Sequence, residues 1–275
     1  MSKLSSCLNL SLLLPISKLE KNINAISSLI YNEDETLDSF LQKVDQPLII
    51  NLQKKGGFIC CEFNRDGDSY RIPGTNEYLP QIEDGNLLKE KYLQLEIEFN
   101  KIFRIYTNFY YSTNAICSVY VYPIDENNDD EFVVSALISH SIEGENNSKG
   151  KWETTNLCTI NVDYDNKEVS YNLITSVVVY LNGNVKAGIK NNNNNNNLNL
   201  GGSLMKNIKK NVKFKDNIDD QFHITNVGSL IEDLETNICS EIEVIYFQKT
   251  IQIIDSARIN SERENLLNNL RNIIK

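Results

Sequence analysis

The chain has 275 residues, of which 41% are hydrophobic and 23% are charged, an ordinary composition for a folded protein. This composition excludes the collagen-like, wholly disordered and small disulfide-stapled classes. Lys and Arg number 27 against 37 Asp and Glu, and the resulting net charge of -10 argues against nucleic-acid binding through overall phosphate neutralisation.

The N-terminal residues and the cysteines indicate the cellular compartment in which the protein is expected. The apolar run Leu10–Leu14 is short and stops at Pro15, so we expect neither a signal peptide nor a transmembrane segment. Six cysteines are scattered without a C-x-x-C pair, and we interpret them as reduced, mostly buried thiols of a cytosolic protein. The adjacent Cys60 and Cys61 are expected on opposite faces of a strand.

The first third of the chain is predicted to be helical. Apolar residues recur at helical spacing over 23–30 and again over 37–44, and Pro47 ends the second stretch. A longer helix is predicted from about Leu87 to Tyr110, with an apolar stripe that we interpret as core-facing. The stripe consists of Tyr92, Leu95, Phe99, Ile102, Phe103, Tyr106 and Phe109.

The hydrophobic period then changes to two. Segments rich in β-branched and aromatic residues are predicted to be strands at 118–122, 132–138, 157–162, 169–173 and 176–181. Polar turn-forming segments separate them, so we predict an antiparallel sheet with hairpin connections. An asparagine tract at 191–197 predicts a disordered loop, about 190–198, at a hairpin end.

A lysine-rich segment and a long helix follow. Lysines crowd residues 206–215, although Ile208, Val212 and Phe214 are placed to face a core. The favoured interpretation is an exposed edge strand that lysines protect from aggregation, and the alternative is a contact with lipid or actin. The helical period returns over about 224–254, which predicts one long helix across the sheet.

Residues 261–275 have the character of a separate basic tail. Ser261 and Glu264 have the S-x-x-E form of a capping box, which predicts that a new helix starts there. From Lys249 onward five basic residues stand against three acidic ones, a local charge of +2. A helix of this length has only marginal stability in isolation. We therefore expect it to dock either on its own body or in a groove on a partner. Its apolar face consists of Leu266, Leu267, Leu270, Ile273 and Ile274.

The sequence contains few residues or motifs that are typical of a catalytic site. The two histidines are His140, in a predicted polar loop, and His223, which we interpret as a structural residue at the entry to the long helix. They give little material for a zinc site or a Ser-His-Asp triad. Gly201-Gly202-Ser203 lacks the Gly-Lys-Ser/Thr ending of a phosphate-binding loop. We therefore predict a binding protein rather than an enzyme, with no cofactor.

The segment Asn64–Asp68 superficially has the form of a calcium loop. Its glycine, Gly67, is at the fourth place instead of the sixth, and Thr75 stands where a bidentate Glu is required, so we expect no metal there. The expected structure is a tight turn in which Gly67 supplies a positive φ and the Asp side chains bond nearby backbone amides.

The same segment carries a family resemblance. Residues 64–71, followed by Pro73, closely resemble the signature of the F-actin capping protein β subunit family. The signature residues are Asn64, Arg65, Asp66, Gly67, Asp68, Ser69, Tyr70 and Arg71. The resemblance continues, in order and spacing, through residues 44–48, 118–120, 200–204, 226–228 and 245–247.

The resemblance implies an α+β fold with N-terminal antiparallel helices, a central and C-terminal antiparallel β-sheet, a long helix packed across the sheet and a C-terminal amphipathic tail helix. The body is expected at 1–258 and a mobile amphipathic tentacle at 259–275. Within the body we expect a helical part at about 1–111, the sheet at about 116–216 and the long helix at about 224–258. Family members share their sheet with a homologous α subunit in an obligate heterodimer.

The resemblance also implies a function in the cytoplasm and cytoskeleton. Such a chain is the β subunit of a heterodimer that binds the barbed end of an actin filament, independently of calcium, and blocks subunit addition and loss. The tentacle is expected to insert into a cleft of the terminal actin subunit, and phosphoinositides are expected regulators near its base. The expected actin-binding residues are Arg258, Leu266, Leu267, Leu270, Arg271, Ile273, Ile274 and Lys275.

Several positions depart from the family pattern. Gly74 and Tyr122 stand where tryptophans are usual, Asn114-Ala115 replaces a glycine pair, and Gln248 replaces a glycine. We expect the fold to survive and the α-subunit interface to have drifted. The alternative function is therefore a divergent, non-capping structural subunit within a larger actin-related assembly.

Overall fold

The computed structural model describes residues 3–13, 19–30, 36–37, 40, 48–52, 56–111, 114–125, 128–143, 149–185, 196–215 and 218–274. Within these ranges the chain forms four α-helices and ten β-strands. The helices are α1 (Lys3–Leu13), α2 (Leu19–Ile30), α3 (Glu90–Tyr110) and α4 (Asp220–Ile274). The strands are β1 (Ile49–Asn51), β2 (Phe58–Cys60), β3 (Arg65–Asp66), β4 (Ser69–Arg71), β5 (Tyr78–Leu79), β6 (Ile116–Asp125), β7 (Asn128–Glu143), β8 (Lys149–Asp163), β9 (Glu168–Val185) and β10 (Asn196–Lys213).

The main sheet has five strands in the order β10-β9-β8-β7-β6, and every neighbouring pair is antiparallel. Consecutive strands are therefore neighbours throughout, which is the hairpin-connected sheet that the two-residue period predicted. The two predicted strands at 169–173 and 176–181 are one continuous strand, β9. The lysine-rich segment forms the outer strand β10, so the predicted edge strand is confirmed.

Two helices cover one face of this sheet. The core contains four residues of α3, namely Tyr92, Leu95, Phe99 and Phe103. It also contains an apolar stripe of α4 that begins at Ile224. The rest of the stripe is Val227, Leu230, Ile231, Leu234, Ile238 and Ile242. Contacts between elements place α3 against β6, and α4 against β9 and β10. The long helix across the sheet is therefore confirmed.

The part of the chain before α3 is less helical than predicted. Helices α1 and α2 pack around a small cluster that includes Ile23, Ile26, Ile30 and Phe40. Between α2 and α3, however, lie five short strands, in a two-stranded sheet (β1-β2) and a three-stranded sheet (β3-β4-β5). The prediction of a helical part over 1–111 missed them because two- and three-residue strands are too short to show a period.

Two further predictions are corrected by the structure. His140 lies within β7, not in a polar loop, and pairs with Trp152 of β8. The stripe of α3 is only partly core-facing, since Ile102 is 48% exposed and Phe109 is 82% exposed. At helical spacing both residues lie at the edge of the stripe formed by Leu95, Phe99 and Phe103.

The helix start predicted at Ser261 is also wrong, since α4 runs unbroken from Asp220 to Ile274. A capping box starts a new helix only if the residues before it leave helical geometry, and no proline or glycine lies between Gly228 and Ser261 to cause this. The predicted disordered loop falls mainly on residues outside those described, although Asn196 already belongs to β10 and pairs with Val185.

All six cysteines are free, but only Cys60 and Cys158 are buried and the other four are partly exposed, so the prediction of mostly buried thiols is wrong. Cys60 packs with Phe58 and Ile72, while Cys61 packs against a second cluster around Ile59, so the two adjacent side chains enter different parts of the core. No helix among the described residues is long and apolar enough to cross a membrane.

Candidate functional site

The signature segment forms the hairpin between β3 and β4. Asp66 pairs with Ser69, so Gly67 and Asp68 form the turn, and Gly67 has a φ of +58°. The predicted positive-φ glycine turn is confirmed, since only glycine adopts this conformation without steric cost. The carboxylate of Asp66 accepts a hydrogen bond from the amide of Asn86 at 3.1 Å, a distant partner rather than the nearby amide that was predicted.

The first signature residue, Asn64, connects the hairpin to the main sheet. Its Nδ2 donates to the carbonyl of Arg71 at 2.8 Å and to the hydroxyl of Tyr120 at 2.9 Å. Its Oδ1 accepts from the amide of Cys61 at 2.9 Å, and the Tyr120 hydroxyl donates to the carbonyl of Ile59 at 2.6 Å. Asn64 is buried and its side-chain amide is fully hydrogen-bonded. It therefore joins β4 to β6 directly, and Tyr120 extends the link to β2.

The last signature residue, Arg71, forms a buried ion pair with Glu96 of α3. Two parallel hydrogen bonds of 2.8 Å join the guanidinium to the carboxylate. Glu96 also accepts from the amides of Gly74 and Val121, each at 2.7 Å. Burial alone would lower the pKa of Arg71, but its bonds to Glu96 raise it, so the guanidinium stays charged. The pair fixes α3 to β4 and β6.

A second buried carboxylate, Glu235 of α4, joins the two long helices to the sheet. It accepts hydrogen bonds from the hydroxyls of Tyr106 at 2.7 Å and Tyr111 at 2.8 Å, and from Nδ2 of Asn156 at 2.7 Å. Thr175 completes the chain by donating to Oδ1 of Asn156 at 2.6 Å. Burial raises the pKa of Glu235, and the three donors act in the opposite direction.

Glu235 was not among the residues singled out from the sequence, although its position carries one sign of a structural role. The residue lies beside Leu234 within the buried stripe of α4, and an acidic residue in a buried stripe requires donors nearby. A second link lies at the surface, where the hydroxyl of Tyr110 donates to Glu232. Tyrosines at the C-terminal end of α3 thus hold two glutamates of α4.

His223, near the start of α4, is buried in the core. Its Nδ1 lies 3.1 Å from the hydroxyl of Tyr171, and its ring meets that of Phe132 edge-on at 5.3 Å. Burial lowers its pKa to about 4, so the ring is neutral near pH 7. This environment agrees with the structural role expected from the sequence.

Beyond the sheet, the described apolar side chains of α4 are substantially exposed. The core-facing stripe ends at Ile242, and the last residue of α4 that packs against the main core is Tyr246, whose hydroxyl donates to the carbonyl of Val179 at 3.3 Å. After it, Ile251, Ile259 and Leu267 are 43%, 51% and 54% exposed. At a rise of 1.5 Å per residue, residues 247–274 carry the helix about 42 Å further.

The predicted actin-binding residues all lie in or next to this extension. Leu267 is the one whose side chain is described, and it is exposed. The helical backbone includes Arg258, Leu266, Leu270, Arg271, Ile273 and Ile274, and Lys275 lies outside the described residues. The signature residues lie instead at the junction of α3, β4 and β6, so the structure does not bring the two predicted sets together.

The other exposed feature of the sheet is its outer strand, β10. Leu204, Ile208 and Val212 of β10 pack against the core, and so does Phe214 directly after the strand, as expected for the last three. Along its outer side Met205 is 67% exposed. The edge of β10 that faces away from β9 is unpaired among the described strands, so its backbone groups are open to another strand.

Comparison with known families decides which class of protein carries these features. The sequence profile described as "F-actin capping protein, beta subunit" matches residues 4–254. The chain belongs to this family. Membership of the capping protein family makes it an actin-binding, cytoskeletal type of protein and not an enzyme, as the sequence predicted.

Curated relatives span nearly the whole chain. F-actin-capping protein subunit beta of Drosophila melanogaster is 30% identical over 93% of this chain and 87% of its own length. The subunit beta of Dictyostelium discoideum is 30% identical over 99% and 97%, and that of Caenorhabditis elegans is 30% identical over 96% and 92%. The family profile ends at residue 254, whereas the Dictyostelium alignment also includes most of the tail.

A solved structure supports the fold. The homodimeric actin capping protein alpha subunit from Plasmodium berghei superposes with a TM-score of 0.56 at 15% identity, over 89% of this chain and 91% of the other. At this identity the likeness concerns the fold alone. It agrees with the α+β architecture expected from the sequence.

Proposed function

We propose that this chain is the β subunit of a heterodimeric F-actin capping protein, which binds filament barbed ends independently of calcium and blocks the addition and loss of actin subunits. The observation that carries the proposal is the extension of α4. A family body with a helix that continues about 42 Å past its sheet-bound part presents apolar side chains where a partner can bury them.

In this proposal the end of the chain from residue 259 of the extension onward, residues 259–275, is the tentacle. Its apolar face enters a hydrophobic cleft that the terminal actin subunit exposes only at the barbed end. Each side chain fully buried there contributes about 1.5 to 3 kcal/mol before ordering costs. The basic residues Arg258, Arg271 and Lys275 face an acidic actin surface and speed encounter more than they strengthen the complex.

The proposed partner of the body is a homologous capping protein α subunit. The unpaired edge of β10 gives the sheet a place to continue into a second subunit. Beside it, α4 leaves Val244 and Ile245 57% and 44% exposed, and these side chains gain cover from a neighbouring helix. The heterodimer acts in the cytoplasm at the actin cytoskeleton, and phosphoinositides regulate it through the basic base of the tentacle near Arg258.

Seeded elongation of actin at barbed ends tests the proposal. The chain is co-expressed with a capping protein α subunit, with and without residues 261–275. We expect the full-length dimer to arrest growth at substoichiometric levels, and the shortened dimer to form normally but arrest growth weakly.

Two outcomes contradict the proposal. If both dimers leave elongation unchanged, the chain is instead a structural subunit of a larger actin-related assembly. If both arrest growth equally, the contact with actin lies on the body and the tentacle assignment is wrong. Adding a calcium chelator should leave the arrest by the full-length dimer unchanged.

A further inference from the structure

The outer side of α3 carries an exposed apolar stripe. Ile102, Ile105 and Phe109 stand at positions i, i+3 and i+7, which places them along one side of the helix. Their side chains are 48%, 69% and 82% exposed. The ring of Tyr110, 52% exposed, meets that of Phe109 edge-on at 5.1 Å and widens the stripe at its C-terminal end. Single exposed apolar residues are common on protein surfaces, but an aligned set of four is a patch that a partner can cover.

The neighbouring helix α4 borders this stripe with acidic groups. Residues 220–248 of α4 include six acidic residues and no lysine or arginine. The carboxylate of Glu232 accepts a hydrogen bond from the hydroxyl of Tyr110, so it lies at the end of the stripe. Asp233 and Glu243 are exposed and form no salt bridge with any described residue. Because Glu243 follows Glu232 by three helical turns, both lie on the same side of α4. The side of the stripe that faces α4 is therefore anionic.

The opposite side of the stripe has cationic groups. Lys101 and Arg104 of α3 are exposed there, and Lys101 pairs with Glu98 at 2.6 Å. The charge thus changes sign across the stripe. A basic helix laid on the stripe therefore has its lowest energy when its cations face α4.

The tail of the chain has the complementary chemistry. Ile259, Arg263 and Leu267 follow one another at intervals of four residues along the extension of α4, and all three side chains are exposed. Arg271 and Lys275 continue the same spacing. Four residues make slightly more than one helical turn, so the apolar residues and the cations lie along one side of the tail.

The tail does not reach this stripe within its own chain while α4 is unbroken. Tyr106 and Tyr110 of α3 contact α4 at Glu235 and Glu232. Residue 259 follows Glu235 by 24 residues of continuous helix, which is about 36 Å along the helix axis. The tail of a second copy is under no such constraint.

We propose that the apolar stripe of α3 and its acidic border on α4 dock the tentacle of a second copy of the chain. The apolar residues of that tentacle cover Ile102, Ile105 and Phe109, and its cations face Glu232 and Asp233. Two copies exchange tentacles about a two-fold axis, so the contact closes as a pair of heterodimers and does not grow into a fibre. A tentacle docked in this way is withheld from actin, a consequence that rests on the proposed function.

Fluorescence anisotropy with a labelled peptide tests the docking without actin. The probe is a peptide of residues 258–275, whose side chains include four basic and two acidic groups, and it is titrated with the full chain co-expressed with a capping protein α subunit. We expect saturable binding, and no binding of a scrambled peptide of the same composition. Phe109→Asp should weaken binding roughly tenfold, because it places a carboxylate where apolar surface is buried. Asp233→Lys should weaken it about threefold, since it replaces an attraction with a repulsion at an exposed position.

Matched variants separate the site from general effects. Leu87→Asp makes the same change at an apolar residue that is 77% exposed and precedes α3, and it should leave binding unchanged. Asp84→Lys is the matched charge reversal at an exposed position outside α4. In sedimentation velocity the full-length heterodimer should pair as its concentration rises, whereas Phe109→Asp should remain a single heterodimer. In dilute solution Phe109→Asp should arrest actin elongation as the wild type does, so a failure of docking and a failure of capping are distinguishable.

Three results would overturn the proposal. One is the absence of saturable peptide binding. Another is equal binding by the wild-type chain and Phe109→Asp. The third is equal binding of the scrambled peptide, because the attraction would then depend on net charge alone and the apolar stripe would contribute nothing.

Discussion

The carboxylate of Glu96 shows how much of this fold depends on single buried groups. It is fully buried and accepts two hydrogen bonds from Arg71 and one each from the amides of Gly74 and Val121. Removing one partner of a buried ion pair leaves the other charge without compensation in a medium of low polarity. Arg71 belongs to the family signature, but the residue that neutralises its charge, Glu96, lies outside the signature.

We expect Glu96→Gln to lower the free energy of unfolding by roughly 3 to 5 kcal/mol, because Arg71 stays charged and loses its counter-ion. Glu98→Gln, on the same helix, removes an exposed pair with Lys101 and should change it by less than about 1 kcal/mol. Urea denaturation of the co-expressed heterodimer, followed by circular dichroism, measures both. Equal losses would mean that the Arg71 pair stabilises no more than a surface contact.

His223 predicts a pH dependence of stability. Its pKa in the folded chain is about 4, against an ordinary value of 6.5, so the unfolded chain binds more protons between these pH values. Stability therefore falls as the pH falls from about 6.5 to 4, by about 3 kcal/mol from this residue. We expect His223→Gln to lose stability less steeply than the wild type over this window.

The comparison is made by urea denaturation at several pH values between 4 and 7. The difference between the two proteins isolates His223, because groups common to both cancel. Parallel curves over the window would contradict the prediction. They would mean that the His223 ring is protonated in the fold, with Tyr171 serving as its acceptor.

At the scale of elements, the sequence predicted those helices and strands in which hydrophobic residues recur with a regular period. The strands from β6 to β10 and the buried stripe of α4 were predictable because alternation and helical spacing extend over many residues. The bonds from Glu235 to Tyr106 and Tyr111 were not, because they join residues more than 120 positions apart and need only one suitable residue at each end. Ser261 shows the reverse error, a local capping pattern that an already continuous helix overrides.

The extension of α4 is the element for which a single side chain gives a clear test. Leu267 is 54% exposed and lies more than 20 residues beyond the packed part of α4, so Leu267→Asp should leave the body of the protein folded. If Leu267 is buried against actin, its loss weakens barbed-end binding by about 1.5 to 3 kcal/mol, or roughly 10- to 100-fold. Leu29→Asp on α2, where the side chain is 76% exposed, is the matched control and should leave binding unchanged.

The measurement is the concentration of heterodimer that halves barbed-end elongation from filament seeds. Co-purification with the α subunit should be the same for both variants, which shows that the dimer is intact. The prediction is wrong if Leu267→Asp arrests elongation as well as the wild type, or if Leu29→Asp weakens the arrest to the same extent.

At the scale of the whole molecule, the isolated chain exposes more surface than a compact monomer should. Its accessible surface is 17790 Å², whereas a compact protein of 31.5 kDa exposes about 12,000 Å². Among the described residues, the 18 residues of β10 offer an open edge of about 60 Å, and Val244 and Ile245 of α4 are exposed apolar residues.

These surfaces predict that the chain is unstable as a monomer. An open strand edge beside exposed apolar side chains favours pairing with any available strand, so the chain alone should aggregate or self-pair. With a capping protein α subunit it should instead form a one-to-one complex, because burying the same surface stabilises the folded state by mass action. Sedimentation velocity of the two preparations distinguishes these states. A monodisperse monomer without the α subunit would contradict the prediction, since it would mean that the edge of β10 is protected within the chain itself.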